Sequence, residues 1–163
     1  MRYRDQPTIE VTQRVRCDVG TAWTCVTEID LPAQCSTELQ AVDWLGDADG
    51  VTVGARFRGR RQPPCVRRLG DRVRGRRSRT PTPLGLERHR PRRYRHDLGF
   101  EVEPASDGVL IRQWGRMRPG PSRPTPAILA QPDKEARIVA RRLSEWQQNM
   151  QANLDWIRAH VER

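Results

Sequence analysis

The chain is poor in the side chains from which most active sites are built. It holds three histidines, of which His89 and His96 lie in an arginine-rich stretch and His160 lies near the C-terminus. It contains no HExxH motif, no Ser-His or Cys-His arrangement, no paired carboxylates at a useful spacing and no phosphate-binding glycine loop. The sequence therefore identifies no catalytic residue, and it leaves open whether the protein is an enzyme.

Cysteines and long hydrophobic runs are also scarce. The four cysteines, at positions 17, 25, 35 and 65, form no CxxC pair and have no histidine at zinc-ligand spacing. We therefore expect no metal site and no cofactor, and we interpret the cysteines as reduced core side chains of a cytoplasmic protein. Residues 1–6 are polar and no window has the length and apolarity of a membrane span, so we expect neither a signal peptide nor a membrane anchor.

Positive charge is abundant but confined to one block. The chain has a net charge of +10, and residues 61–97 carry all of it, with thirteen arginines against three acidic residues. The block has five prolines and no Trp, Phe, Ile or Met, and it shows neither the period of a strand nor that of a helix. Such a block is typical of a disordered insertion or of a nucleic-acid-binding segment.

Hydrophobic alternation outside the block predicts several strands. They cover residues 8–16, 39–45, 51–58, 100–103 and 109–117. On the first strand Gln13 is the one polar residue on the inward side. A helix with Asp18 as its N-cap is expected next, and we assign its Trp23 to the core. Pro32 ends this helix, and a short second helical turn is expected before the next strand.

The last thirty residues predict one long amphipathic helix over 133–162. Apolar residues recur there at steps of three and four: Val139, Leu143, Trp146, Met150, Leu154, Ile157 and Val161. At about 1.5 Å per residue the helix spans roughly 45 Å, so a curved sheet or another helix must lie along this stripe. Core packing is the simplest role for it. The wall of a ligand pocket and a dimerising surface are the alternatives, and the oligomeric state stays open.

Several short pieces, in this order along the chain, carry a resemblance. They are Thr8-Ile9-Glu10-Val11, Ala22-Trp23, Gly54-Ala55-Arg56-Phe57-Arg58-Gly59, Arg112-Gln113-Trp114 and Pro119-Gly120-Pro121. With these pieces the chain resembles the START/Bet v 1-like (SRPBCC) superfamily, and within it the small actinobacterial members of the polyketide cyclase/dehydrase-like group. The resemblance implies one α+β domain over residues 1–163 with the helix-grip fold, a curved antiparallel sheet packed on a long C-terminal helix. The central strands, at about 61–97, are expected to be disrupted or disordered.

A ligand pocket is what the resemblance implies about function. Its walls are expected from Trp44, Phe57, Trp114, Met117, Leu143, Trp146 and Met150, with Arg112 or Gln113 as a polar contact. Pockets of this kind are mostly apolar with a few placed polar groups. The expected partner is a small hydrophobic molecule, not nucleic acid, and some members of the family cyclise or dehydrate polyketides. For each residue taken alone, plain core packing is the alternative role.

The arginine-rich block also has the properties of a stretch read in the wrong frame. Read one base later, codons for residues 61–71 permit Ala-Asn-His-Pro-Ala-Tyr-Gly-Asp-Trp-Glu-Thr, which resembles a piece of the family that is missing here. The codons for residues 77–86 and 96–98 permit two further pieces, Glu-x-Glu-Pro-Pro-Arg-Arg-Leu-x-Trp and Thr-Thr-Trp. CGN arginine codons become GNN codons after this shift, so the charge anomaly would disappear. The alternatives are a genuine insertion, which would make a basic nucleic-acid-binding protein, and a non-functional frameshifted product.

Overall fold

The computed structural model describes residues 1–35, 40–47, 49–51, 55–60, 71–75, 84–88, 96–118 and 122–163. At 56, 57, 59, 71–75 and 84–88 the description is limited to the backbone. The strands are β1 (Thr8–Val15), β2 (Ala41–Leu45), β3 (Arg56–Arg60), β4 (Asp71–Gly75), β5 (Leu84–Arg88), β6 (His96–Ala105) and β7 (Gly108–Met117). The helices are α1 (Val19–Thr27), α2 (Leu31–Cys35), α3 (Thr125–Ala130) and α4 (Glu135–Val161), with 3-10 turns at Tyr3–Asp5 and Pro132–Lys134.

The seven strands form one antiparallel sheet in the order β1-β7-β6-β5-β4-β3-β2. Strands β2 to β7 follow one another as a meander, and β1 joins the far side of β7. Each pair of consecutive strands is therefore joined locally, whereas the β1–β7 pair brings together the two ends of the domain. This sheet and the single long helix confirm the predicted architecture.

Strand β7 shows how the sheet divides into two faces. Its burial alternates along the strand, with Val109, Ile111, Gln113, Gly115 and Met117 buried. We call the side on which these five residues lie the inner face, and the opposite side the outer face. The register extends the inner face to both neighbours, because directly paired residues share a face: Val11 of β1 and Phe100 of β6 both pair with Gln113.

Helix α4 covers the inner face, chiefly along β1 and β7. Six of the seven predicted stripe residues are buried, from Val139 to Ile157, and Val161 at the end of the helix is partly buried. Leu31 of α2, which packs against α4, and Val26 of α1, which contacts β6, β7 and α4, complete the core. Each fully buried Leu or Ile side chain contributes about 1.5–3 kcal/mol, so the stripe is a major part of what holds helix and sheet together.

The first helix confirms one prediction and overturns another. Asp18 is the N-cap of α1, and its side chain accepts a hydrogen bond from the Thr21 backbone at 3.0 Å. Trp23, however, is 38% exposed, so its assignment to the core was wrong. The helix has only nine residues and its inward positions are taken by Ala22 and Val26. Trp23 follows Ala22 directly, about 100° further around the helix, and therefore faces away from the core.

The arginine-rich block takes part in the sheet. Two five-residue strands, β4 and β5, lie within residues 61–97, and β6 begins at its end. They occupy the interior of the strand order, between β3 and β6. Residues 61–70, 76–83 and 89–95, including Cys65 and His89, lie outside the described residues.

Within the ranges given above, no helix combines the length and the apolarity needed to cross a bilayer. Over the same part of the chain, no three His, Cys, Asp or Glu side chains are grouped so that they could hold a metal ion.

Candidate ligand-binding site

The centre of the inner face is a glycine, Gly115 of β7, which lets the helix approach the strand closely. A Cβ atom at this position would lie 2.8 Å from Leu98 Cδ2, 2.9 Å from Met150 Cε and 3.1 Å from Trp146 Cε3. These side chains come from β6 and from two successive turns of α4. They therefore meet above the glycine and form an apolar centre between sheet and helix.

Towards the start of β6 this centre gains aromatic and charged neighbours. The rings of His96 and Trp146 meet edge to face, with centroids 4.9 Å apart. The guanidinium carbon of Arg142 lies 5.7 Å from the Trp146 ring centroid, and Arg142 also pairs with Glu145 at 2.8 Å. Met117, which pairs with His96 across the strands, is fully buried. The Trp146 ring is therefore contacted by the His96 ring and by the Arg142 guanidinium.

A polar pair interrupts the apolar interface between β7 and α4. Asn153 is 4% exposed and Gln113 is 8% exposed. Asn153 Nδ2 donates a hydrogen bond to Gln113 Oε1 at 3.2 Å. Asn153 Oδ1 is buried and accepts no hydrogen bond from the described residues. An unsatisfied buried polar atom costs about 1–3 kcal/mol of folding free energy, so this pair destabilises the core.

A second buried amide under α4, Gln13 of β1, differs from this pair because it has several partners. Gln151 Nε2 lies 3.1 Å from Gln13 Oε1. With the Gln13 amide turned over, its nitrogen instead donates to Asp155 and its oxygen accepts from Arg158 at 3.0 Å. In either orientation Gln13 is hydrogen-bonded, as is usual for a buried amide.

Comparison with known proteins bears on the architecture. No protein-family model and no curated protein matches the sequence. Among solved structures, a polyketide-cyclase-like protein from Corynebacterium glutamicum is 18% identical, with a TM-score of 0.60 over 95% of this chain and 91% of that chain. Ara h 8.0201 is 11% identical, with a TM-score of 0.58 over 93% of this chain and 97% of that one. The chain has the helix-grip fold.

A larger protein of two domains contains this fold in about half of its length. The di-domain ARO/CYC protein StfQ, from the steffimycin biosynthetic pathway, is 15% identical with a TM-score of 0.69. The comparison covers 98% of this chain and 52% of StfQ, so the helix-grip chain corresponds to about half of that protein. At these identities the likeness concerns the fold alone.

Five of the nine residues predicted to line the pocket meet between the sheet and α4 of this helix-grip fold. They are Gln113, Met117, Leu143, Trp146 and Met150, all of them buried. Trp44 is partly buried on β2, four strands from β6, and its backbone partner is Phe57 of β3. Following the register from Leu98 across β5, β4 and β3 places Trp44 on the inner face. The Phe57 side chain lies outside the description.

The other two predicted residues, Arg112 and Trp114, lie on the outer face. Adjacent residues of a strand point to opposite faces, so they cannot line the same space as Gln113 between them. Arg112 donates to Glu101 Oε2 through Nε at 2.6 Å and to Glu10 Oε2 at 2.7 Å. These hydrogen bonds, first from Glu101 and then from Glu10, raise the pKa of Arg112 above its ordinary value. The Trp114 ring packs against Gly99 of β6.

Three residues of the site were not predicted from the sequence. Asn153 sits three residues after Met150, at the spacing of the apolar stripe, and a polar residue at a stripe position was the available signal. His96 falls in the arginine-rich block, where the sequence shows no strand period. Arg142 does not belong to the apolar stripe, but the stem of an arginine can pack against an aromatic ring while its charge reaches a partner.

Proposed function

We propose that this helix-grip protein binds a small, mostly apolar molecule between the inner face of its sheet and α4. The observation that carries the proposal is the incomplete cover of that face. Among the described helices, α4 lies chiefly along β1 and β7 and α1 contacts β6 and β7, whereas the inner face continues across β5, β4, β3 and β2. Leu98 on β6, which borders this part of the face, and Trp44 on β2, which lies on it, are apolar side chains that are only partly buried. An apolar ligand would remove them from water.

The names of the structural neighbours support a finer version of this proposal. One is a polyketide-cyclase-like protein and another is an ARO/CYC protein of a biosynthetic pathway. By this analogy the site would hold a flexible apolar chain in a folded shape, as a polyketide cyclase or dehydrase does. The site residues named above include no nucleophile with an adjacent base, so positioning the chain is the contribution that we assign to the protein.

Titration with a neutral apolar dye, N-phenyl-1-naphthylamine, tests the proposal. We expect saturable fluorescence enhancement that hardly changes between about 50 and 500 mM salt, because an uncharged ligand in an apolar site releases no counterions. Leu98→Gln should weaken dye binding about fivefold or more, since it places an amide on the inner face. Arg116→Gln, on the outer face of β7, is the matched control and should bind the dye like the wild type.

The dye titration, combined with a DNA-retention assay, separates the pocket from nucleic-acid binding through residues 61–97. The observation that favours the latter is the concentration of the whole net charge in this block. Retention of DNA that falls steeply with salt, together with absent dye binding, would replace the pocket proposal by a basic nucleic-acid-binding function. Dye binding without DNA retention supports the pocket.

We also propose that residues 61–97 result from a compensated frameshift, with one extra base near Arg60 and one missing base near Leu98. The support is the three family-like pieces in the next frame and the confinement of the charge to this block. A fresh read of the coding DNA across residues 58–100, with the intact mass of the native protein, tests this directly. A read that reproduces the written sequence contradicts it and leaves a genuine arginine-rich insertion.

A further inference from the structure

The Gln113–Asn153 pair leaves one of its polar side-chain atoms without a hydrogen-bond partner. Asn153 Nδ2 bonds to Gln113 Oε1, and Asn153 Oδ1 is left buried without a donor. Turning both amides over would pair Gln113 Nε2 with Asn153 Oδ1 but would leave Asn153 Nδ2 without an acceptor. In either orientation one polar atom of Asn153 is open, and in the observed orientation that atom is an acceptor.

The surroundings of this open atom are apolar. Gln113 pairs in register with Phe100 on β6 and with Val11 on β1, and both of these side chains are buried. On α4, Met150 lies three residues before Asn153, on the same side of the helix, and is buried as well. Among the described residues, no charged side chain hydrogen-bonds to either amide. A group that binds here is therefore neutral, since an ionised group would be buried without a counter-charge.

We propose that Asn153 Oδ1 accepts a hydrogen bond from a hydroxyl group of the ligand, with Gln113 holding the Asn153 amide in place. The inference rests on the proposed function, and it names the ligand class as an apolar molecule carrying an alcohol or phenol hydroxyl. Gln13 supports it by contrast, because the other buried amide under α4 has its hydrogen bonds satisfied within the protein. A site with a buried unpaired acceptor discriminates against an analogue that lacks the donor.

Two matched probes test the proposal on the whole chain, 2-naphthol and 2-methoxynaphthalene. They share an apolar ring system, but only the naphthol has a hydroxyl to donate. We expect wild-type protein to bind 2-naphthol about tenfold or more tightly than the methoxy compound. Asn153→Leu should bring the ratio of the two dissociation constants close to one, mainly by weakening naphthol binding. Gln148→Leu, an exposed position on α4, is the control and should retain the wild-type ratio.

A measurement on the wild type covers the case in which Asn153→Leu does not fold. The side-chain amide signals of Asn153 in an NMR spectrum should shift with 2-naphthol and hardly move with 2-methoxynaphthalene. Equal affinity for both probes, or unmoved Asn153 signals, would overturn the assignment of Asn153 while leaving the apolar site intact. Absence of binding by both probes and by the neutral dye would instead overturn the proposed function on which the assignment rests.

Discussion

Gly108 opens β7 at the tight turn that follows β6, and its backbone occupies a region that other residues rarely adopt. Its φ angle is +143°, and a Cβ atom there would run into the Val15 carbonyl oxygen and lie 2.9 Å from Arg16 Cα. These are backbone atoms of the last residue of β1 and of the residue after it, so they cannot move aside as the end of a side chain can. The position ties the turn between β6 and β7 to the end of β1.

Gly108→Ala should therefore lower the free energy of unfolding by about 1–3 kcal/mol, because it combines backbone strain with a clash. Gly50→Ala is the matched control, since a Cβ at Gly50 meets no atom of the described residues within 4 Å. Urea denaturation of both variants measures the difference. Equal urea midpoints for the two variants would show that position 108 tolerates a Cβ atom.

Cys35 is a residue whose chemistry the fold changes. Burial raises the pKa of its thiol to about 11, from an ordinary value of 9.0. At about pH 8 the thiolate, which is the reactive form, should be rare in the folded protein. We expect alkylation of Cys35 by iodoacetamide, followed by peptide mass mapping, to be much slower in the native protein than in urea.

The same shift gives a pH dependence of stability with a definite sign. The folded pKa is raised, so the contribution of this thiol is fully present below about pH 9 and is lost as the pH rises towards 11. Cys35→Ser should flatten the decline in unfolding free energy over that window. Native alkylation of Cys35 as fast as in urea would show that its thiol is not shielded.

At the scale of elements, Arg112 links three strands on the outer face of the sheet. Its guanidinium bridges Glu10 of β1 and Glu101 of β6 from the strand between them. The side chain of Glu101 is only 12% exposed, so removing the arginine leaves a mostly buried carboxylate without its partner.

Arg112→Gln should accordingly destabilise the protein by about 1–3 kcal/mol in urea denaturation. Its affinity for the neutral dye should stay at the wild-type value, because Arg112 lies on the face away from α4. Arg14→Gln breaks an exposed pair with Asp107 and should change neither property measurably. Loss of dye binding in folded Arg112→Gln protein would place Arg112 in the site after all.

The elements differ in how well they could be predicted, for physical reasons. The stripe on α4 and the alternation of β1 are long periodic patterns, so their bounds and buried sides were predicted to within a few residues. In Arg112-Gln113-Trp114 the alternation forbids a shared face, but it does not say which face the helix covers. That choice depends on the register with β1 and β6 and on the helix, which are non-local. Asn153 was missed because one amide in an apolar stripe barely changes the pattern.

At the scale of the whole molecule, charge is the property that distinguishes the written sequence from its shifted reading. The written chain has a calculated isoelectric point near 10.9, and residues outside 61–97 contribute no net charge. If the frameshift proposal is right, the native protein should focus far below that value. Protein expressed from the written sequence provides the reference. Focusing of both samples at the same basic position would show that the arginines are made.

The pairing of β1 with β7 has a consequence for how the chain reaches its fold. Thr8 pairs with Arg116 and Val15 with Val109, so the first strand finds its partner about 100 residues later. Contacts this distant in sequence slow folding, since a long loop must close before they form. At a synthesis rate of about 5–20 residues per second, β1 leaves the ribosome several seconds before β7 exists. During that interval its backbone hydrogen-bonding groups are available to other nascent chains, so this strand is a point at which aggregation or chaperone recognition can begin.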